Sequence, residues 1–228
     1  MLLLVDKPTW YTSFDIIRKL QKIYPGEKIW HAWTLDPLAT WLLVIALGKS
    51  TKRLHALSGV DKTYEVTIDL TQMSDTRDSD ARQDLEQYPF DADSVQMPGM
   101  QTATPAPSIE NIHAVLDRML QTTVFPLPPF SAKKVRGKKL YEYARAWQPL
   151  YIDAPMRVDT YNLVAYQRPH LSLCLDVWSG TYIRSLAYWI GNALGTWWIV
   201  VSLRRTRVGL YEVPTTPTLP TSPYKLAW

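Results

Sequence analysis

Residues 28–43 read KIWHAWTLDPLATWLL, and this stretch decides how the rest of the chain is interpreted. Its one acidic side chain is Asp36, which follows His31 by five residues and directly precedes Pro37. Runs compatible with helices lie on both sides, at 12–24 and 42–57. An acid held between two ordered elements, in a stretch with little other charge, is a candidate reactive group.

The elements around this stretch predict a mixed fold. Apolar spacing predicts the following elements: a short strand at 2–8, a helix capped by Thr12 or Ser13, a helix at Leu38–Leu47, a half-buried strand at 61–70, an amphipathic helix at 109–123, strands near 156–166, 170–178 and 198–203, and a helix at 181–194. Strands and helices mix without the regular alternation of a parallel βαβ series. This order favours an α+β fold with a mixed or antiparallel sheet.

Length and composition exclude several classes of protein. The chain has 228 residues, 46% of them hydrophobic, which suits one large domain with at most a small appendage. The single cysteine, Cys174, excludes an internal disulfide and a cysteine-based zinc site. Neither a signal peptide nor an apolar run of about 18 residues occurs, so we expect a soluble cytoplasmic protein and no membrane contact. The net charge of +4 is compatible with a nucleic-acid partner without requiring one.

Three segments depart from the regular pattern. Residues 71–108 are polar and rich in Asp, Thr and Pro, which predicts a long surface excursion. Residues 126–147 have a Pro-rich entry, a basic centre and a helical end. Residues 214–228 form a Pro/Thr-rich tail, in which we expect no further domain.

Several separated blocks, in order, resemble the TruB family of tRNA pseudouridine synthases. The similarity runs from residue 3 to about residue 213 and rests on these blocks: LLVDKPTWYTSFD, HAWTLDPLAT, LGKSTKRL, DKTYEVTIDL, PPFSAKKVRGKKLYEYAR, SGTYIRSLA and SLRR. The resemblance implies a catalytic domain over residues 1–213. Its implied fold is an α+β pseudouridine synthase fold, in which helices flank a mixed, mainly antiparallel central sheet and residues 126–147 form an RNA-clasping insertion.

The resemblance also implies a reaction and a set of site residues. The chain is expected to flip a uridine of the tRNA T-arm, position 55 in the family, out of its stack and convert it to pseudouridine. Asp36 matches the catalytic aspartate, Arg184 the arginine that pairs with it, and Tyr64 the tyrosine that stacks on the target base. Asp36 can attack ribose C1′ or uracil C6, or act first as a base, and these alternatives stay open.

Further residues are implied to contact the RNA. His31 matches a histidine that fills the space of the flipped base, Leu203 matches an apolar pocket residue, and Tyr182 lies in the same block as Arg184. Leu203 and Tyr182 also fit ordinary core positions. A phosphate grip is implied for Lys52, Arg53, Lys133, Lys134, Arg136, Lys138 and Lys139, for which a solvated basic face is the alternative. No metal, cofactor or protein partner is implied, and we expect a monomer that binds tRNA.

Tryptophan stands where the family pattern has glycine. The chain has 10 tryptophans and 9 glycines. The positions concerned are Trp10, Trp30, Trp33, Trp41, Trp147, Trp197 and Trp198. A single type of replacement points to decoding, so our hypothesis is that UGA codons meant as glycine were translated as tryptophan. The codons test it, because UGG at these positions would contradict it.

Two other functions remain open from the sequence. The chain could be a non-catalytic RNA-binding or tRNA-folding protein, which authentic tryptophans around Asp36 would favour. It could also be a pseudouridine synthase that acts on a uridine of another RNA.

Overall fold

A computed structural model describes residues 1–57, 59–72, 106–212 and 224–225. The chain forms two compact units, one of Met1–Glu65, Asp176–Ser179 and Ser202–Trp228, the other of Val66–Leu175 and Gly180–Val201. The helices are α1 (Ser13–Ile23), a 3₁₀ helix (Gly48–Leu57), α2 (Ile109–Gln121), α3 (Leu140–Arg145) and α4 (Ile183–Leu194). No helix in the described ranges has the length and apolar character to cross a membrane.

The strands account for most of the remaining described residues. They are β1 (Leu2–Lys7), β2 (Ile29–Ala32), β3 (Thr40–Leu47), β4 (Lys62–Asp69), β5 (Val124–Pro126), β6 (Lys134–Val135), β7 (Lys138–Lys139), β8 (Asp153–Pro155), β9 (Val158–Gln167), β10 (His170–Val177), β11 (Ile199–Val208), β12 (Tyr211–Glu212) and β13 (Tyr224–Lys225). Most described pairings are antiparallel, and β3 with β11 is parallel. The mixed, mainly antiparallel sheet of the sequence prediction is confirmed.

In the first unit, β3 is the central strand. It lies between β1, which is antiparallel to it, and β11, and it also pairs with β2. Its residues Leu42 to Ala46 are all 0% exposed. The chain enters and leaves the segment around Asp36 through β2 and β3, so these two strands fix both ends of that segment.

The predicted helix at Leu38–Leu47 is wrong, because the chain forms the strand β3 there instead. An uninterrupted apolar run fits a helix or a strand that is buried on both faces, and its periodicity does not separate them. Here β1 pairs along the strand, while β2 and β11 pair with its C-terminal and N-terminal parts, so backbone hydrogen bonds are made on both edges. The helix-compatible run at 42–57 is therefore a strand followed by the 3₁₀ helix.

The helix α1 begins as the sequence predicts. Thr12 is its N-cap, and a capping box joins Thr12 to Asp15, because each side chain accepts a hydrogen bond from the other residue's backbone N–H. The apolar face predicted for α1 buries Ile16, Ile17 and Leu20. The cap fixes the start of α1 and thereby the direction of the segment that precedes it.

In the second unit, α2 and α4 pack against each other, and α2 also packs against β9. Strand β9 pairs with β10, and β10 with β4, where the hydroxyls of Thr67 and Ser172 lie 3.1 Å apart. Helix α4 also contacts β5, with Trp189 edge-on to Phe125 at 6.0 Å between ring centroids. The predicted strands and helices at 109–123, 156–166, 170–178, 181–194 and 198–203 are confirmed. Most ends shift by one or two residues, and the last strand continues to Val208.

Two predicted segments fall largely outside the described residues. Most of the polar excursion predicted at 71–108 lies there, between residues 73 and 105. Of the predicted tail at 214–228, the structure describes only β13, which pairs with β1. The extent of the catalytic domain stays a prediction.

Candidate active site

Asp36 lies in a loop of residues 33–39 between β2 and β3, which we call the Asp36 loop. Its side chain is half-buried, and its backbone carbonyl accepts a hydrogen bond from the Ala39 N–H at 3.1 Å. Leu35 and Leu38, on either side, are 5% and 6% exposed. The loop is thus pinned by two buried leucines, and the carboxylate between them is within reach of solvent.

A second segment, residues 7–13, holds the Asp36 loop through hydrogen bonds, and we call it the anchor segment. The Trp10 N–H donates to the Pro37 carbonyl at 2.9 Å, and the Thr9 hydroxyl donates to the Leu38 carbonyl at 3.1 Å. The Leu35 N–H donates to Ser13 Oγ at 2.9 Å. These bonds cover three backbone positions of the loop, so the anchor segment and α1 set its conformation.

Lys7, buried in the first unit, also joins the anchor segment to the Asp36 loop. Its side chain is 0% exposed, and Nζ donates to the carbonyls of Pro8 at 3.1 Å, Tyr11 at 2.6 Å and Pro37 at 3.1 Å. Carbonyl oxygens satisfy a buried ammonium group that would otherwise be costly to desolvate. Lys7 therefore stabilises the contact between the anchor segment and the Asp36 loop.

His31 lies on β2, five residues before Asp36. Burial, and secondly the positive charge of Arg205, lower the pKa of His31 below its usual value. Its Nδ1 is buried and has no hydrogen-bond partner within the described parts of the chain, and its ring stacks on Trp30 with 5.8 Å between centroids. The structure therefore favours a neutral imidazole.

The strand β4 carries Tyr64, and β11 carries Leu203, both within the first unit. Tyr64 is 8% exposed and Leu203 is 6% exposed. The Leu203 carbonyl lies 3.5 Å from the Thr40 hydroxyl, which donates to it. The first unit thus contains Asp36, His31, Tyr64 and Leu203 of the predicted site.

Arg184 and Tyr182 belong to the second unit, at the start of α4. Arg184 is 4% exposed, and its Nη2 donates to the Phe130 carbonyl at 3.0 Å. The Tyr182 N–H donates to Met156 Sδ at 3.5 Å. A buried guanidinium fixed by a carbonyl is suited to orient an acid, and its pairing with Asp36 stays a prediction.

Five of the predicted phosphate contacts lie on one hairpin of the second unit, formed by β6 and β7. They are Lys133, Lys134, Arg136, Lys138 and Lys139. All except the half-buried Lys139 are exposed. Arg136 and Gly137 form the turn with φ of 49° and 84°. Exposed cations on a short hairpin fit a surface that binds phosphates, and Lys52, in the first unit, is exposed as well.

Comparison with known proteins identifies the family of this chain. Residues 21–183 match the family model of the TruB pseudouridylate synthases, N-terminal domain. A tRNA pseudouridine synthase B of Mycobacterium tuberculosis is 36% identical over 218 residues, which cover 93% of this chain and 68% of the relative. The chain belongs to the TruB family of tRNA pseudouridine synthases.

Other similar proteins support this family and its fold. The enzyme of the same name from Chlamydia trachomatis is 38% identical over 215 residues, which cover 92% of this chain and 81% of the relative. Among solved structures, a chain of a Cbf5–Nop10–Gar1 complex matches with a TM-score of 0.64 at 23% identity. The match covers 92% of this chain and 49% of that one, so this chain spans about half the length of the solved relative.

The sequence analysis missed two buried cations near the predicted site residues of the first unit. Arg205 is 1% exposed and donates to the Leu42 carbonyl through Nε at 3.2 Å and Nη2 at 2.6 Å. Lys62 is 4% exposed, and its Nζ donates to the Val60 carbonyl at 2.6 Å and to Ser179 Oγ at 3.2 Å. Strand alternation was the available signal, because Lys62 shares a face with Tyr64, and Arg205 with Leu203.

Proposed function

We propose that this chain converts a uridine in the T-arm of tRNA, position 55 in the family, to pseudouridine, with Asp36 as the reactive group. The observation that carries the proposal is the Asp36 loop itself. The half-buried residue Asp36 lies between two buried leucines in a backbone held by the anchor segment. Rigid placement of a reacting group lowers the barrier of a bimolecular step.

The reaction breaks one bond and forms another within a single nucleotide. The bond between uracil N1 and ribose C1′ breaks, the base rotates, and C5 of the base bonds to C1′. The proton on C5 is lost and N1 gains one, so atoms and electrons balance without an external oxidant or reductant. Attack by Asp36 on C1′ and attack on C6 of the base both satisfy this balance.

The other site residues have roles that fit their surroundings. Tyr64 presents an aromatic ring on β4, and aromatic faces stack well on a flipped base. The neutral His31 on β2 is suited to fill the space that the base leaves, because an uncharged ring costs less to insert into a stack. Arg184, with its guanidinium fixed by Phe130, is proposed to orient Asp36.

The basic hairpin is proposed to hold the tRNA backbone. Its five cations lie within seven residues, 133–139, and contacts to phosphates fix the position of an RNA without reading its bases. Selection of the uridine is then left to the shape of the T-arm and to the residues around Asp36. We propose that the protein works as a monomer in the cytoplasm, where its tRNA substrate is available.

The replacement Asp36→Asn tests the proposed reaction. It keeps the size of the side chain and removes the carboxylate, so pseudouridine formation in tRNA transcripts should fall at least about a thousandfold. The dissociation constant for tRNA should stay within about twofold, because the phosphate contacts are untouched. Asp159→Asn, at an exposed aspartate of β9, is the matched control and should keep full activity.

Three results would each contradict a part of the proposal. Undiminished turnover by Asp36→Asn would remove Asp36 as the reactive group. Tight tRNA binding without turnover by the protein isolated from its own cells would instead identify an RNA-binding protein. Mapping of pseudouridine in total RNA after gene deletion names the uridine, and loss at a site outside the T-arm would show a different substrate.

A further inference from the structure

Three tryptophans have a backbone conformation that favours glycine. Among the described residues, the only non-glycine residues with positive φ are Trp10 at 69°, Trp33 at 56°, Trp147 at 56° and Arg136 at 49°. Bulky residues are rarely found there, because the Cβ atom crowds the backbone carbonyl in the left-handed region. Arg136 lies in an exposed two-residue hairpin turn, which requires positive φ. The tryptophans need another explanation.

Trp147 lies at the end of α3, in a place that glycine usually occupies. There, the Trp147 N–H donates to the Ala144 carbonyl at 3.1 Å and the Gln148 N–H donates to the Tyr143 carbonyl at 3.0 Å. This pair of bonds is a Schellman motif, whose left-handed residue is usually glycine. Trp147 occupies that residue and is 67% exposed, so its ring gains little from packing.

Helix α4 ends in the same motif with glycine in that place. The Gly195 N–H donates to the Asn192 carbonyl at 3.1 Å, and the Thr196 N–H donates to the Gly191 carbonyl at 2.9 Å. Gly195 has φ of 67°, against 56° for Trp147. One chain thus ends two helices identically, once with glycine and once with tryptophan.

The other two tryptophans flank the Asp36 loop. Trp10 lies in the anchor segment, and its N–H donates to the Pro37 carbonyl in the left-handed conformation. Trp33 is the first residue of the loop, and its ring lies 4.5 Å from Lys62 Nζ. Trp10 is 50% exposed, so the turn rather than the side chain determines its position.

We propose that the functional protein carries glycine at positions 10, 33 and 147, and that residue 10 positions the Asp36 loop through its left-handed backbone. Glycine adopts this conformation without the penalty that L residues pay. At position 10 it lets the anchor segment turn and present the N–H to Pro37. The effect on catalysis rests on the proposed role of Asp36, whereas the identity of the residues does not.

The backbone conformation supports glycine at only some of the tryptophan positions where the family resemblance implies it. Trp30 and Trp41 lie in the strands β2 and β3. Trp198 is 2% exposed, and a Cβ added at Gly191 would come within 2.2 Å of its Cδ1 atom. Gly191 therefore makes room for the indole of Trp198. At positions 30, 41, 197 and 198, the codons test whether glycine or tryptophan is the encoded residue.

Glycine and alanine variants at the same position separate the backbone effect from the loss of the indole. At positions 10, 33 and 147 the glycine variant should have a folding equilibrium constant roughly tenfold larger than the alanine variant, because alanine pays the left-handed penalty. Trp30→Gly and Trp30→Ala are the matched control, in an exposed strand residue without positive φ. There the order should reverse, with alanine the more stable.

Chemical denaturation followed by circular dichroism measures these differences. Alanine variants at 10, 33 and 147 that equal or exceed their glycine partners would overturn the proposal. Peptide mass spectrometry of the protein isolated from its own cells decides the identity directly. Glycine masses at positions 10, 33 and 147 are expected, and tryptophan masses there would overturn it.

A kinetic comparison tests the positioning role of residue 10. Trp10→Gly should exceed Trp10→Ala in kcat for pseudouridine formation, with KM for tRNA unchanged, because the loop alters the chemical step and leaves the phosphate contacts as they are. Equal kcat values in two active variants would remove the positioning role. Two inactive variants whose stabilities differ as expected would instead count against the proposed function of Asp36.

Discussion

The buried side chain of Lys62 makes the free energy of unfolding depend on pH. Its ammonium group is almost fully buried on β4, next to the ring of Trp33. Burial, and then the positive charge of Arg205, lower the pKa of Lys62 to about 8, and Asp61 opposes the shift. A cation in this place costs folding free energy that disappears once the group is neutral.

The sign of the pH dependence follows from the lowered pKa. Between pH 8 and about 10.5 the unfolded chain keeps the Lys62 proton while the folded chain releases it, so the free energy of unfolding rises with pH in this window. Across the whole window, the lowered pKa of Lys62 raises the free energy of unfolding by about 3 kcal/mol. Urea denaturation across this range should show the rise in the parent protein, and Lys62→Met should flatten it.

Lys22→Met controls for the loss of a cation, at an exposed site of α1. Its denaturation profile should keep the slope of the parent protein. A parental slope in Lys62→Met would show that other groups cause the pH dependence.

At the scale of elements, the hairpin of β6 and β7 opposes like charges. Lys134 pairs with Lys139, and Val135 with Lys138. Like charges directly opposite each other weaken a strand pair. The hairpin is held instead by its turn and by α3, where the Tyr143 hydroxyl donates to the Val135 carbonyl at 3.2 Å. Because the paired lysines lower the stability of the hairpin in the absence of RNA, they fit a surface that binds phosphates.

Lys134→Glu should therefore act in opposite directions on stability and on binding. It turns the repulsive pair with Lys139 into an attractive one, which should stabilise the hairpin by about 0.5 kcal/mol. It should also weaken tRNA binding about tenfold at physiological salt, because a proposed phosphate contact becomes repulsive. Amide hydrogen exchange of residues 133–140 and a tRNA titration measure the two effects.

Lys22→Glu provides the matched charge reversal outside the proposed RNA surface. It should leave the tRNA affinity within about twofold, since physiological salt screens an exposed charge that makes no phosphate contact. Equal losses of affinity in Lys22→Glu and Lys134→Glu would assign the effect to net charge and remove the hairpin from the RNA surface.

The elements also show which patterns predict structure. The capping box of Thr12 and Asp15 and the apolar face of α1 are local, and both were predictable from the sequence. The strand β3 was not, because its apolar run leaves helix and strand equally favourable until β1, β2 and β11 supply hydrogen-bond partners. Tertiary hydrogen bonds of this kind decide whether a segment that is buried on all sides forms a helix or a strand.

At the scale of the whole molecule, charge should govern tRNA binding more than catalysis. The net charge is +4, and seven cations are proposed to contact phosphates. If all seven do, the association constant should fall about a thousandfold between 50 and 200 mM salt. The rate constant at saturating tRNA should change little, because hydrogen bonds from the anchor segment hold the Asp36 loop and salt screens them little.

Filter binding at several salt concentrations, together with single-turnover kinetics, tests this separation. Lys133→Gln combined with Lys138→Gln should make the slope of log association constant against log salt shallower by about 1.5. An unchanged slope would place these lysines away from the RNA. A strong salt effect on the single-turnover rate, with constant affinity, would contradict the separation.

The sequence by itself determined the family, the α+β class and the capped helix α1, and it singled out Asp36 as the candidate reactive group, because these depend on motifs and on local periodicity. Only the tertiary structure showed that β3 is a strand, that Lys7 and the anchor segment hold the Asp36 loop, and that Lys62 and Arg205 are buried. Those features depend on hydrogen bonds between residues far apart in the chain. The left-handed backbone at Trp10, Trp33 and Trp147 belongs with them, since φ is set by the turn that the fold imposes.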